Sequence, residues 1–163
     1  MKEIPLTQGK VTLVDDEDFE WLSKFNWHYG CKGYAVRGIH HTGKEYMHVA
    51  IMHATSIFQV DHKNLNTLDN QKSNLRICTQ IQNSRNIGIS KANKSGYKGV
   101  SKHGDPRYKK EWMALIYLRG KGIHLGSFFT KEEAARAYDR AAKNLFGEFA
   151  QLNFPEGEMA QLV

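Results

Sequence analysis

The stretch VDHKNLNTLDNQKSNLR, residues 60–76, sets a carboxylate, Asp61, directly beside an imidazole, His62, and follows them with Asn64, Asn66, Asn70 and Asn74. A little further on, QNSRN brings Asn83. A carboxylate and a carboxamide oxygen are hard donors, which suit Mg²⁺ or Mn²⁺ better than zinc. A cation held by so few protein atoms keeps positions open for water and a phosphate oxygen. Neighbouring residues of an extended strand point to opposite faces, so His62 need not bind the same ion. With an ordinary pKa of about 6.5, it is suited instead to take a proton from water.

These groups act together only if strands and a helix converge on them. The pattern predicts a strand ending in Val60-Asp61-His62, an Asn-rich loop, a short strand in SNLRICT, and a helix opened by a Thr79–Gln82 capping box that presents Asn83. Upstream, GKVTLVDD alternates and is β-branched, as a strand does. Asp15 or Asp16 then caps a short helix with Phe19, Leu22 and Phe25 at helical spacing. The acids of DDEDFE fall in its first turn, where the helix dipole favours them, which accounts for the cluster without a metal. GYAVRGIHHTGKEYMHVAIM predicts a β-hairpin that turns at HTGK and returns through EYMHVAIM. His40, His41 and His53 are expected as turn or packing residues, Asn64, Asn66 and Asn70 as turn residues, and Cys78 as strand packing.

Asp61-His62, Asn74 in SNLR and Asn83 in QNSRN resemble the motif of HNH (ββα-metal) nucleases, in the variant of phage and intron-associated homing endonucleases. The resemblance implies that Asp61 and Asn83 hold the metal, that His62 activates water, and that Asn74 braces the loop orienting the imidazole. Asn86 is the alternative ligand. The family often places a further histidine upstream, followed by arginine; here His48 in MHVAIM fits, as a possible auxiliary, with Val49 in the arginine position. Arg85, on the same predicted helix as Asn83, is a candidate phosphate contact.

From Tyr97 the pattern changes. YKGVSKH, EWMALIYLRG and GIHLGSF are three strand-like runs, and a Thr130–Glu133 capping box opens a helix with Ala134, Ala137, Tyr138, Ala141 and Leu145 on one face, ended by Gly147. YKGV, WMALI, HLGSF and TKEEAARAYDRAAKNLFGEFAQLNFP resemble the AP2 DNA-binding domain. That implies a three-stranded antiparallel sheet laid in the DNA major groove and backed by one helix. Trp112, Ala114 and Ile116 match the helix-packed positions, which leaves Tyr117 and Arg119 on the groove side. In the plant proteins arginines dominate the reading face, whereas this chain has Lys98, Ser101, His103, Tyr117 and His124 there, so bidentate reading of guanine is largely missing. Lys98, Tyr117 and His124 are candidate base-side contacts. Lys102, Arg107, Lys109, Lys110, Arg119 and Lys121 are expected to position phosphates.

Charge supports a polyanionic partner. Of 163 residues, the net charge is +6; residues 1–88 hold ten basic and nine acidic groups, residues 96–155 eleven and six. Cys31 and Cys78 are too few for a structural zinc site and are expected as reduced thiols. No apolar run approaches the ~20 residues of a membrane helix, and the N-terminus lacks a signal-peptide core, so a cytoplasmic protein of a phage-infected or bacterial cell is expected.

The expected fold class is α+β, with an HNH nuclease module at 1–88, a basic linker at 89–95, an AP2-like module at 96–155 and a tail at 156–163. The expected activity is targeted, metal-dependent cleavage of double-stranded DNA, with one active site nicking one strand as a monomer and no small-molecule cofactor. The alternative is a non-catalytic DNA-binding regulator built on the same scaffold.

Overall fold

A computed structural model describes residues 1–39, 43–105, 107 and 109–155. The chain is α+β and divides into two units, Met1–Ser84 and Arg85–Val163. The division precedes the expected boundary after residue 88, so Arg85 belongs to the second unit and not to the helix carrying Asn83. His40, His41 and the tail 156–163 lie outside the described residues.

The first unit opens with β1 (Lys2–Pro5) and β2 (Val11–Val14), antiparallel, with Ile4 opposite Thr12. Alternation reveals β2; β1 is too short and charged to stand out. Asp15 then precedes α1 (Asp16–Leu22), but its carboxylate makes no cap bond. It accepts instead from the backbone N–H of Lys72 at 2.8 Å, tying the helix start to the Asn-rich loop. Leu22 is buried, whereas Phe25 lies beyond the helix and carries the Arg37 guanidinium 3.6 Å above its ring.

β3 (His28–Tyr29), β4 (Ala35–Ile39) and β5 (Gly43–Tyr46) form an antiparallel sheet with β4 in the middle. The return strand of the hairpin stops at Tyr46, and MHVAIM forms α2 (Met47–Met52) in place of the expected strand. Met47 and Ile51 stand one helical turn apart and are both buried in the unit's core with Val14, Leu22 and Leu75. His53 ends α2 in left-handed geometry, φ 47°. β6 (Gln59–His62) and β7 (Leu75–Cys78) pair antiparallel, setting Asp61 opposite Arg76 and His62 opposite Leu75. α3 (Gln80–Asn83) follows, its start fixed by the Thr79–Gln82 capping box, and packs on both strands.

In the second unit β8 (Val100–Lys102), β9 (Trp112–Leu118) and β10 (Lys121–Phe128) make one antiparallel sheet with β9 central. α4 (Lys131–Phe146), capped by Thr130–Glu133 and ended at Gly147, packs on it. Ala114 and Ile116 are buried against α4 residues Ala134, Ala135, Tyr138 and Ala142. The packed stripe runs on to Phe146; Leu145, expected on that face, is 43% exposed. Gly99 lies at φ 72°, and a Cβ there would run into the Tyr138 ring. The buried Asp139 carboxylate accepts from the backbone N–H of Asn153 and Phe154, both at 2.9 Å, which pins the LNFP segment beneath the helix.

Candidate active site and nucleic-acid interface

Alternation along β6 turns Gln59 and Asp61 to one face and Val60 and His62 to the other. On the first face, Arg76 donates through Nε at 2.8 Å and Nη2 at 2.6 Å to Asp61 Oδ2. With 6% and 10% exposure, the two side chains form a buried ion pair. Asn83 donates from Nδ2 to Gln59 Oε1 at 2.7 Å, which sets the α3 carboxamide beside the strand face that carries Asp61.

On the second face His62 is 4% exposed. Its Nε2 lies 3.1 Å from Asn70 Oδ1, and its ring meets those of His48 and Tyr34 at centroid distances of 5.0 and 5.9 Å. Burial pushes the imidazole pKa below its ordinary value, against the opposing pull of the Asn70 hydrogen bond and of Asp61 and Asp69. A neutral ring near pH 7 follows, and a neutral ring has a lone pair to accept a proton.

The loop between the strands is held by its own asparagines. Asn74 Oδ1 accepts from Asn64 N–H at 3.0 Å and Asn74 Nδ2 donates to Asp69 carbonyl at 2.8 Å, spanning the loop. Asn64 and Asn66 accept from backbone N–H groups two residues on, at 2.9 and 3.1 Å, as turn residues do. Asn70 differs: it is 1% exposed, and its side chain is spent on His62 and on Thr12 Oγ1, 2.7 Å away. Asn70, Arg76 and Thr12 are therefore site residues that the sequence reading did not select. A hairpin register through Asp61 would have found Arg76; nothing local marks Thr12.

His48 sits in the same aromatic cluster, with ring contacts to Tyr34, Tyr46 and His62. Burial holds its pKa down to about 3. The unfolded chain binds this proton below pH ~6.5 while the native state refuses it until about pH 3, so the stability is present above ~6.5 and lost as pH falls. Urea midpoints should show a loss of about 2 kcal/mol from this residue between pH 6.5 and 5, and His48→Phe should remove that part of the slope.

Among the described residues no three His, Cys, Asp or Glu side chains gather to hold an ion. The two expected ligands each already make a hydrogen bond, the Asp61 carboxylate with Arg76 and the Asn83 carboxamide with Gln59. A carboxylate has about four lone-pair positions, so accepting from Arg76 is compatible with binding a hard cation as well. Cys31 is exposed and Cys78 buried, both free thiols. Asn86, the alternative ligand, lies in the second unit and is buried.

In the second unit, the sheet face opposite Ala114 and Ile116 carries Met113, Leu115 and Tyr117, with Ser101 and Ser127 flanking Met113 and His124 flanking Leu115. Tyr117 is 59% exposed. His124, Lys109 and Lys121 are exposed as well. Arg119 is exposed but stands in the β9–β10 turn at φ 50°, past the strand end. Lys102 pairs with Glu111 at 2.8 Å, Arg107 with Asp105 at 2.6 Å, and Lys110 lies 5.6 Å from the Phe129 ring centre. His103 Nε2 is 2.9 Å from Ser127 Oγ. Lys98 is not on the open face: its Nζ donates to the Arg85 and Ile87 carbonyls at 2.9 and 2.6 Å, and burial, aided by Arg85, lowers its pKa to about 8. Arg85 in turn lies 4.5 Å over the Phe146 ring and donates to the Tyr117 carbonyl at 3.1 Å. Both residues fasten the segment before β8 to their own unit.

Over 152 residues, 90% of this chain, the sequence is 34% identical to an uncharacterized HNH endonuclease of Acanthamoeba polyphaga mimivirus, covering 76% of that protein. Over 54 residues, 32% of this chain and 16% of that protein, it is 44% identical to dehydration-responsive element-binding protein 2A of Arabidopsis thaliana. It is also 40% identical over 76 residues to an AP2/ERF and B3 domain-containing protein of Oryza sativa subsp. japonica, 47% of this chain and 20% of that protein. No family model and no solved structure matches the chain.

Proposed function

The chain belongs to the HNH endonuclease family, and from that premise we propose that it is a divalent-metal-dependent, homing-type DNA endonuclease targeted by its AP2-like half. The observation that carries this reading is the buried His62 imidazole, held by Asn70 on the strand that also carries Asp61. Asp61 and Asn83 are the residues that would hold Mg²⁺ or Mn²⁺, which when bound supplies positive charge for the scissile phosphate and its leaving 3′ oxygen. His62, neutral near pH 7, takes the proton of the attacking water. Arg76 fixes the direction of the Asp61 carboxylate, and Asn74 keeps the loop closed around the imidazole. The product carries a 5′-phosphate.

In the second unit the open face of β8–β10 is the surface for the major groove, with Tyr117 and His124 toward the bases and Arg107, Lys109, Lys110 and Arg119, in the loop and turn at its rim, toward phosphates; Lys102 and Lys121, expected as phosphate contacts, stand opposite Trp112 and Leu118 on the helix side of the sheet. The similarity to the plant proteins supports this assignment but not their target, because the reading face lacks their arginines. Lys98 and Arg85 support the fold of that unit and leave the contact set. Joining cutter to reader raises the local concentration of scissile DNA, so neither half must bind tightly alone. A monomer with one active site nicks one strand. The homing-type role, exercised in the cytoplasm of a phage-infected or bacterial cell, is part of this proposal.

Supercoiled plasmid incubated with protein and Mg²⁺ tests the reading. The expected product is open circle, abolished by EDTA. Removing residues 96–163 should weaken duplex binding at least tenfold and flatten its salt dependence. DNA retardation without nicking under any divalent ion would favour the regulator, and full duplex affinity after the truncation would end the targeting role.

A further inference from the structure

The open face of the second unit's sheet lacks the groups that most often read bases. Register fixes its membership: Ser101 and Ser127 stand beside Met113, His124 beside Leu115, and Gly122 beside Tyr117. Among the described residues, these positions of β8, β9 and β10 hold no arginine, lysine, side-chain amide or carboxylate. In the major groove guanine is read by a cation, adenine by a side-chain amide and cytosine by a carboxylate, so none of those three bases meets its usual partner here. The serine hydroxyls both donate and accept, and Ser127 Oγ already lies 2.9 Å from His103 Nε2, so they discriminate little between bases. What the central strand offers is carbon. Met113 and Leu115 are half-buried and Tyr117 is exposed, in a row along β9. Gly122 leaves a notch beside them: a carbon at its Cβ position would stand 3.4 Å from both Leu115 Cδ1 and Tyr117 Cε1. The feature of a base edge that rewards carbon is the C5 methyl of thymine. The basic residues Arg107, Lys109, Lys110 and Arg119 complement the charge of a duplex seated on that row.

We infer that Met113, Leu115 and Tyr117 are specificity-determining residues that read thymine methyl groups, so that the duplex this unit prefers is rich in A·T pairs beneath β9. This deepens the DNA-targeting reading of the unit and rests on it. Met113 and Tyr117 are four residues apart, about 14 Å along a strand, so a strand following the groove passes roughly four base pairs at ~3.4 Å each. The methyl changes strand between A·T and T·A, so the row also tells those two orientations apart, which the minor groove does not allow. Deleting one methyl from a closed apolar contact lowers affinity about threefold, so several together set a preference of about tenfold or more.

Full-length protein without divalent ions, used to select binders from a random duplex library, should enrich sites that share a block of about four A·T pairs. Replacing thymine by uracil throughout the selected site keeps every hydrogen-bonding group of the bases and deletes only the methyls. Gel-shift affinity should fall about tenfold or more. Leu115→Ala removes one wall of the notch and Gly122→Ala fills it, and each should bring the thymine-to-uracil affinity ratio to within about threefold of one. The uracil comparison on the wild type needs no variant, so a variant that fails to fold leaves the test standing. A G·C-rich selected site, or a wild-type ratio within about twofold of one, would overturn the methyl reading alone. So would an undiminished ratio in both folded variants. A wild type that retards no duplex, or every duplex alike, would overturn the targeting reading together with it.

Discussion

His62→Ala is expected to lower the rate of plasmid nicking by about 10²- to 10⁴-fold, the usual contribution of a positioned general base. The argument rests on environment as much as on residue type. A histidine exposed on a loop would be partly protonated at pH 7 and free to rotate. This one is buried, its pKa is pushed down by that burial, and its ring is bracketed by Asn70 and the His48 ring. The substitution opens a small cavity, at a cost of about 1–3 kcal/mol, so the folded fraction must be checked by urea titration before rates are compared. Duplex retardation should be unchanged, because the basic surface assigned to DNA lies in the other unit. Single-turnover nicking that stays within threefold of wild type would remove His62 from the mechanism. Partial recovery with added imidazole would support it.

The parts of the molecule that could be read in advance are those written in short-range pattern. Both capping boxes place their helices correctly because the signal is four residues long and the bonds it predicts are local. The sheet of the second unit is equally legible: alternation through Trp112, Ala114 and Ile116 sorts the packed from the open side. MHVAIM misled for a definite reason. Six mostly apolar residues after a strand satisfy a period of two and a helical period alike, and what decides for α2 is that Met47 and Ile51 both find the core. Lys98 reads as a base-side contact because the AP2-like pattern puts it on the reading face, and Arg85 as a phosphate contact because it follows Asn83 on the predicted helix; the carbonyls and ring that occupy them come from segments whose approach no local pattern shows.

The site follows the same division. Asp61, His62, Asn74 and Asn83 stand out through spacing within one strand–loop–strand–helix run. Asn70 lies inside that run yet reads as one more turn residue, since its partner Thr12 is 58 positions away. Composition cannot distinguish an asparagine that shapes a loop from one that holds a buried imidazole. Burial can.

Asp61 should be the most costly residue to lose after His62, and for two separable reasons. Its carboxylate is half of a buried pair with Arg76, and removing one partner strands a guanidinium in the interior, which costs about 3–5 kcal/mol. Asp61→Ala should accordingly unfold the first unit at a much lower urea concentration. Replacing both partners, Asp61→Leu with Arg76→Met, fills the space without charge and should recover most of that loss, because desolvation of the pair offsets much of its attraction. Recovery of stability must not bring recovery of activity. If Asp61 holds the cation, the double variant should bind Mn²⁺ undetectably by calorimetry and nick plasmid at least about a hundredfold more slowly. Asp61→Asn should do the same while still accepting from Arg76 through its remaining oxygen, at a stability cost nearer ~1 kcal/mol. A stable double variant that still cut DNA at the native rate would reduce Asp61 to a structural counter-charge for Arg76 and move the metal elsewhere.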